Sequence, residues 1–133
     1  MKEKLQQNIL VVCSGNINRS PAGEFLFKKY GYINVDSCGL GKTAAKGLPI
    51  TKRMREFIGE DVQHTSKQIT SSLVEWSDII YVMGPGQAKK VNTIYNTSKA
   101  VILGGSRIED PHFTGNYKQV YEHIENTIKK LTK

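Results

Sequence analysis

The sequence predicts an α/β fold: a single domain over residues 1–133, with a four-stranded parallel sheet flanked by helices on both faces and a phosphate-binding loop after strand 1. Short apolar runs alternate along the chain with segments of helical periodicity, which is the pattern of parallel strands joined by helical crossovers. Glycine and proline separate these segments. A chain of 133 residues is long enough to bury a core without disulfides or a metal.

The order of the elements follows from this alternation. Four short segments are predicted strands, at residues 8–13, 33–38, 78–83 and 99–103. Four predicted helices lie at residues 20–30, at residues 49–58, from the Gly84-Pro85-Gly86 sequence to about residue 95, and after residue 116, where apolar side chains form one stripe. The remaining segments are a glycine-rich loop at residues 39–47, a turn at residues 71–76 and a long loop at residues 104–116.

The most reactive combination of residue types lies between the first strand and the first helix. Cys13 is followed, after five residues, by Arg19 and then by Ser20-Pro21, a good N-cap and first helical residue. Gly15 and Asn16 tolerate the positive φ of a tight loop. In a loop between a strand and a helix, backbone N–H groups and the positive helix end converge on one point, which suits a phosphate-sized oxyanion. The same field favours a nucleophilic thiolate at Cys13.

The spacing of Cys13 and Arg19 predicts phosphoryl transfer. The planar guanidinium of Arg19 can bind two phosphate oxygens at once. A nucleophile facing such a clamp is the arrangement for a reaction through a cysteinyl-phosphate. The alternative is a buried free cysteine at the end of a core strand, with no chemical role.

A carboxylate in the late loop is the candidate acid. Ligands of an open parallel sheet bind beyond the carboxyl ends of its strands. The loop after Cys13 and the loop at residues 104–116 leave such ends, so we expect them to open onto the same face. Asp110, fixed by Pro111, would there protonate the departing oxygen of a phosphate ester. The alternative is that Asp110-Pro111 only initiates a turn, in which case Glu109 is the next candidate acid.

Composition excludes several other function classes. The net charge of +7 favours anionic partners in general, but no aromatic-rich basic motif of an RNA-binding module is present, so no nucleic acid is expected. Cys13 and Cys38 form no CxxC pair, so neither a metal nor another cofactor is expected. The polar N-terminus, the low cysteine content and the absence of a long apolar run predict a cytoplasmic protein with no membrane contact.

These features together resemble the low-molecular-weight protein tyrosine phosphatases over essentially the whole chain. The resemblance rests on the loop CSGNINRSP, the late Asp-Pro pair and the four-stranded α/β pattern. VDSCG at residues 35–39 and HTSKQIT at residues 64–70 are similar to further family segments. The resemblance implies hydrolysis of phosphotyrosine, in a protein or in a small aryl phosphate, with inorganic phosphate as the product and no cofactor.

The resemblance also implies a role for each matched residue. Cys13 would be the nucleophile, Arg19 the phosphate clamp, and Asp110 the general acid of the first step and the base of the second. Residues of the loop would surround the phosphate: Ser14, Gly15, Asn16, Ile17, Asn18 and Ser20. Ser20 would also hydrogen-bond the thiolate. Asn16 would hold the loop in its strained shape, supported by Ser37 and His64 in a structural role.

The chain departs from the family pattern at several positions. Asn18 replaces a second cysteine, so the reversible disulfide that protects the nucleophile cannot form there. Gly84 stands where an acidic residue often follows the third strand, and the rim after Asp-Pro reads His112-Phe113. Cys38 is expected to be a small core residue. Ile17 matches the tyrosine-phosphatase form of the loop, whereas a threonine would point toward the related phosphoarginine phosphatases.

Two alternative functions remain open from the sequence. An arsenate reductase of the same fold would relay oxidation through two further cysteines, and this chain offers only Cys38. A non-catalytic module that binds phosphorylated partners would be expected to lack the nucleophile or the acid, and Cys13 and Asp110 are both present.

Overall fold

A wholly parallel four-stranded sheet, in the order β2-β1-β3-β4, forms the centre of the computed structural model, which describes residues 2–133. The strands are β1 (Asn8–Cys13), β2 (Asn34–Gly39), β3 (Ile79–Val82) and β4 (Ala100–Ile102). β1 pairs along its whole length with β2, from Asn8 opposite Asn34 to Cys13 opposite Gly39. The predicted fold class is confirmed.

Helices cover both faces of this sheet. They are α1 (Arg19–Lys29), α2 (Lys52–Ile58), α3 (Ser71–Trp76), α4 (Pro85–Ile94), α5 (Pro111–Thr114) and α6 (Tyr117–Thr132). Short 3₁₀ turns lie at Lys4–Gln6, Lys42–Lys46 and Leu103–Gly105. The helices α1, α2 and α6 pack on one face, and α3 and α4 pack on the other. None of the helices in residues 2–133 combines the length and the apolar character needed to cross a membrane.

The central strand β1 is buried on both sides. Ile9, Val11 and Cys13 contribute to the core beneath α1 and α6, whereas Leu10 and Val12 contribute to the core beneath α3 and α4. A strand covered on both faces is apolar at every position instead of alternating. This double burial explains the unbroken apolar run that leads to Cys13 in the sequence.

The last helix confirms the predicted apolar stripe. Val120, Tyr121, Ile124 and Ile128 are buried at helical spacing in α6 and pack against the side of the core that also contains α1. At the outer edge of this contact, Tyr30 donates a hydrogen bond of 2.8 Å from its hydroxyl to Glu125 Oε2. The first and last helices are therefore joined by both apolar and polar contacts.

Two predicted helix starts are wrong. The helix α1 has Asn18 at its N-cap and begins at Arg19, because the Ser20 hydroxyl is engaged with Cys13 and the Cys38 carbonyl instead of capping the helix. The helix α2 begins at Lys52 and not at Pro49, since the Thr51 side chain caps it by accepting a hydrogen bond from the Met54 N–H. Pro49 lies in the irregular segment before the cap.

Gly39, at the end of β2, is packed against the loop that follows β1. A Cβ at this position would lie 2.6 Å from Ala44 Cβ and 2.7 Å from the Ser14 carbonyl oxygen. Both distances are far shorter than a van der Waals contact, so only a residue without a side chain leaves room for the loop.

We expect Gly39→Ala to lower the free energy of unfolding by ~1–3 kcal/mol, because the loop must shift to admit the methyl group. Gly86→Ala is the matched control, since a Cβ there meets nothing within 4 Å. Its effect should stay within about 0.5 kcal/mol. Urea unfolding of the two variants measures the difference, and equal stability would show that the loop does not depend on Gly39.

Candidate active site

The loop between β1 and α1, residues 14–18, is held in shape by the side chain of Asn16. This residue is fully buried and adopts a left-handed backbone conformation, with a φ of 58°. Its Nδ2 donates to Ser20 Oγ at 2.8 Å and to Ser37 Oγ at 3.0 Å. Its Oδ1 accepts from the Lys67 backbone N–H at 3.0 Å. These three bonds attach the loop to α1, to β2 and to the segment before α3.

A further row of polar contacts supports Asn16. His64 Nε2 lies 2.7 Å from the Asn16 carbonyl oxygen, and Ser37 Oγ donates to Glu24 Oε1 at 2.7 Å. Ser37 and His64, the two residues for which the resemblance implied a supporting role, both lie within hydrogen-bond distance of Asn16. The sequence analysis did not identify Glu24, although its position four residues after Ser20 in a helix places both on one side of α1.

The sulfur of Cys13 is surrounded by hydrogen-bond donors. Ser20 Oγ lies 3.0 Å from Sγ, the Asn16 N–H donates to Sγ at 3.3 Å, and the Ser20 N–H donates at 3.4 Å. The Ser20 N–H belongs to the first turn of α1, so the partial positive charge of the helix N-terminus also faces the sulfur.

The hydroxyl of Ser20 can serve two acceptors. It accepts a hydrogen bond from Asn16 Nδ2, and its own proton can go to Cys13 Sγ at 3.0 Å or to the Cys38 carbonyl oxygen at 3.3 Å. With a Cys13 thiol, Ser20 can accept the S–H and donate to Cys38. With a thiolate, it can donate to the sulfur. The site can therefore accommodate both states of Cys13 without moving the backbone.

Arg19 connects the loop after β1 to the loop after β4. These two loops were predicted to open onto the same face of the protein. Its Nη1 donates to the Ile108 carbonyl oxygen at 2.9 Å, and its Nη2 lies 3.4 Å from Asp110 Oδ2. The arginine is almost completely buried, whereas the carboxylate is partly exposed. A cation at the start of α1 thus faces a carboxylate from the loop after β4.

Asp110 has two structural roles at once. Its Oδ1 accepts a hydrogen bond of 3.0 Å from the His112 N–H and so caps α5, while its Oδ2 faces Arg19. Asp110 can therefore initiate the turn at α5 and also lie beside Arg19. Glu109, the other candidate acid, accepts instead from Asn116 Nδ2 at 3.3 Å, so its carboxylate is tied to the residue that precedes α6.

A pocket of about 350 Å³ opens above Cys13 and Arg19. Its lining includes the predicted loop residues Ser14, Gly15, Ile17 and Asn18, together with Asp110, His112 and Phe113. Asn16 and Ser20, which were also predicted to contact the ligand, are fully buried and do not line the pocket. Their side chains instead hold the loop and the sulfur. Phe113, which is exposed, places an aromatic ring at the rim of this pocket.

Two features of this pocket were missed in the sequence. Gly41 and Thr43, from the predicted loop at residues 39–47, form part of one wall. Asn18, which stands at the second-cysteine position, uses its side-chain oxygen to accept a hydrogen bond from the Thr51 hydroxyl. This bond connects the phosphate loop to the cap of α2, and no local sequence signal links residues so far apart.

Cys38 lies on the opposite side of the sheet from Cys13. It pairs with Val12 across the parallel ladder and shares the core beneath α3 and α4, whereas Cys13 belongs to the core beneath α1. Burial raises the pKa of the Cys38 thiol, and the nearby Asp36 carboxylate raises it further. Cys38 is therefore an unreactive core thiol, and a disulfide with Cys13 would require the sheet to open.

These positions predict that the two thiols differ in their reactivity toward alkylating and oxidising reagents. We expect iodoacetamide to modify Cys13 in the folded protein and Cys38 only after unfolding. Hydrogen peroxide should carry Cys13 to sulfinic and sulfonic acid, and dithiothreitol should not reverse these products. Peptide mass spectrometry identifies the modified sites, and Cys38→Ala should react like the parent. A Cys13–Cys38 disulfide in high yield would contradict the assignment.

Known proteins resemble this chain in both sequence and fold. The chain matches the family model for low molecular weight phosphotyrosine protein phosphatases over residues 8–133. It is 34% identical over 114 residues to the low molecular weight protein-tyrosine-phosphatase Ptp of Acinetobacter johnsonii, with 80% of each chain covered. It is 27% identical over 144 residues to a protein-arginine-phosphatase of Bacillus subtilis, with 95% of each chain covered. The structure of Vibrio vulnificus Wzb in complex with benzylphosphonate superposes with a TM-score of 0.84 at 28% identity, over 95% of this chain and 97% of that one.

Proposed function

Because this chain belongs to the low molecular weight phosphotyrosine protein phosphatase family, we propose that it hydrolyses phosphotyrosine and related aryl phosphates through a cysteinyl-phosphate on Cys13. The main support for this proposal is that one pocket is lined by Cys13, Arg19 and Asp110. These side chains supply a nucleophile, an anion clamp and a proton donor, which are the groups that phosphate ester hydrolysis needs.

Substrate binding begins with the clamp. The phosphate enters the loop, where backbone N–H groups and the N-terminus of α1 face it. Arg19 keeps its bond from Nη1 to the Ile108 carbonyl oxygen, which fixes the plane of the guanidinium. The remaining N–H groups of Arg19 bind phosphate oxygens and exchange the carboxylate of Asp110 for them.

The first chemical step transfers the phosphoryl group to sulfur. The Cys13 thiolate attacks phosphorus, so that an S–P bond forms while the bond from phosphorus to the aryl oxygen breaks. Asp110, in its protonated form, donates its proton to the departing oxygen, and tyrosine leaves as the neutral phenol. The loop amides and Arg19 stabilise the charge that the equatorial oxygens carry in the transition state.

The second step releases inorganic phosphate. The Asp110 carboxylate takes a proton from a water molecule, whose oxygen attacks phosphorus as the S–P bond breaks. The sulfur leaves as a thiolate, and the Ser20 hydroxyl at 3.0 Å is in position to donate to it. Asp110 ends the cycle protonated, as it began. The enzyme therefore needs water as its only co-reactant.

The pocket favours an aryl group over a guanidino group. Ile17 and Phe113 present apolar surface above the phosphate loop, which suits the ring of tyrosine. The similarity to the arginine phosphatase of Bacillus subtilis makes phosphoarginine the substrate to compare.

Arsenate reduction is disfavoured because the two thiols lie on opposite faces of the sheet and cannot relay oxidation. A purely binding role is disfavoured because both the nucleophile and the acid are present.

The same proposal includes a location and partners. A free, buried nucleophilic thiol at Cys13 is compatible with a reducing compartment such as the cytoplasm. A protein phosphorylated on tyrosine, or a small aryl phosphate, would be the substrate, and inorganic phosphate would be the product.

The direct test compares phosphate release from a phosphotyrosine peptide and a phosphoarginine peptide in the presence of EDTA, with arsenate reduction measured in parallel. We expect turnover of phosphotyrosine and none with Cys13→Ser. That variant should still bind inorganic phosphate, because Arg19 and the loop amides remain. Faster hydrolysis of phosphoarginine, or reduction of arsenate, would refute the proposed function.

The role of Asp110 is tested through the leaving group. Asp110→Asn should lower kcat by ~10²–10⁴-fold on phosphotyrosine or phenyl phosphate, whose leaving oxygens are strongly basic. The loss should shrink for nitrophenyl phosphates, which depart readily as anions. KM should change little, because Arg19 and the loop hold the phosphate. Asparagine is also a good N-cap, so α5 should stay intact.

The decisive measurement is the slope of log kcat against leaving-group pKa for the parent and for Asp110→Asn. Glu109→Gln is the matched control and should keep the slope of the parent. Equal slopes for Asp110→Asn and the parent would mean that Asp110 serves only as the cap of α5.

A further inference from the structure

A second groove of about 360 Å³ adjoins the active-site pocket. The two share Ser14, Arg19, Asp110 and Phe113, so a molecule held by its phosphate above Cys13 can extend past the Phe113 ring into the groove. The far side of the groove is formed by residues 83–87, which run from the end of β3 into the first turn of α4. This space lies beyond the part of the site that holds the phosphate.

The groove is firmly attached to the phosphate loop. Gln87 Oε1 accepts a hydrogen bond of 2.8 Å from the Met83 N–H, and Gln87 Nε2 donates to Ser14 Oγ at 3.2 Å. One side chain thus ties the start of α4 both to the end of β3 and to the residue that follows Cys13. The wall of the groove therefore has a fixed position relative to the loop after Cys13.

One uncompensated positive charge lies in this groove. Three charged residues line it, and two of them, Arg19 and Asp110, pair with each other. The third, Arg107, is exposed and has no hydrogen-bond or ion-pair partner for its side chain among residues 2–133. Its guanidinium therefore remains available to an anionic group from outside the chain.

Gly84 leaves Arg107 available. A Cβ built on Gly84 would lie 3.6 Å from Arg107 Cγ, an ordinary contact distance. An acidic side chain at this position would be a direct neighbour of the arginine and could pair with it. Because the position is glycine, the groove keeps both its space and its charge.

We propose that this groove is a substrate subsite in which Arg107 binds the carboxylate of an aspartate or glutamate next to phosphotyrosine. The proposal rests on the proposed function, because it concerns the peptide that carries the phosphate. Arg107 touches neither the phosphate nor the reacting atoms, so it selects among substrates without taking part in the chemistry. The chain then prefers phosphotyrosine in an acidic sequence.

The test uses pairs of phosphotyrosine peptides that differ only by glutamate or glutamine, placed immediately before or immediately after the phosphotyrosine. We expect the parent to prefer one glutamate peptide over its glutamine partner by about 2–5-fold in kcat/KM, mainly through KM, since a partly exposed ion pair has a modest effect. The preference should decrease as ionic strength rises. Arg107→Gln should abolish it, and Arg107→Glu should reverse it in favour of a lysine peptide.

Lys130→Gln is the matched control, because it removes the same charge from an exposed position near the end of α6. It should keep the preference of the parent, which separates a local contact from the effect of net charge. Phenyl phosphate, which has no second anionic group, should be hydrolysed equally by the parent and by all three variants.

The outcomes separate this proposal from the proposed function. A parent that hydrolyses phenyl phosphate but does not discriminate between the peptides overturns the subsite alone. The subsite is also overturned if Arg107→Gln keeps the full preference, or if it slows phenyl phosphate as much as the peptides. A parent that does not hydrolyse phenyl phosphate overturns the proposed function as well.

Discussion

The buried side-chain amide of Asn16 is the interaction on which the phosphate site depends. A left-handed conformation is unfavourable for a residue with a side chain, and here three hydrogen bonds to separate elements hold it in place. The same conformation turns the Asn16 N–H toward Cys13 Sγ. Because the partners come from α1, β2 and the segment before α3, the loop takes this shape only when those elements are assembled around it. The anion site is thus a product of the tertiary fold and not of the loop sequence alone.

The charge of Arg19 is compensated by Asp110. A nearly buried guanidinium without a partner would be costly, and the Asp110 carboxylate supplies that partner. In the proposed mechanism a bound phosphate takes over that role, which frees the carboxyl group for proton transfer. The cap that Asp110 Oδ1 forms on α5 does not involve the oxygen that faces Arg19. The carboxyl group can therefore change partners at one oxygen while the other keeps it in place.

The sequence predicted the parts of this structure that depend on local pattern. The short strand-like segments located all four strands, most clearly β1, which is apolar from Ile9 onward because both its faces are covered. The cysteine-to-arginine spacing located the loop between β1 and α1. Contacts between distant segments were not predictable: the bond from Lys67 to Asn16, the support from Glu24 and the wall at Thr43 each depend on how the chain folds back. The misplaced start of α1 has the same origin, since the Ser20 hydroxyl is used by the sulfur and not by the helix end.

The departures from the family pattern lie around the nucleophile and not in its chemistry. Asn18 stands where the resemblance places a second cysteine, and its side chain instead accepts a hydrogen bond from the Thr51 hydroxyl that joins the loop to α2. A disulfide between Cys13 and residue 18 therefore cannot form. Gly84 stands where the resemblance often places an acidic residue, and it leaves the groove beside Arg107 open. Cys13, Arg19 and Asp110 are untouched by both changes. Under the proposed function, variation of this kind would alter the oxidation of Cys13 and the choice of phosphoester, while Cys13, Arg19 and Asp110 keep their arrangement.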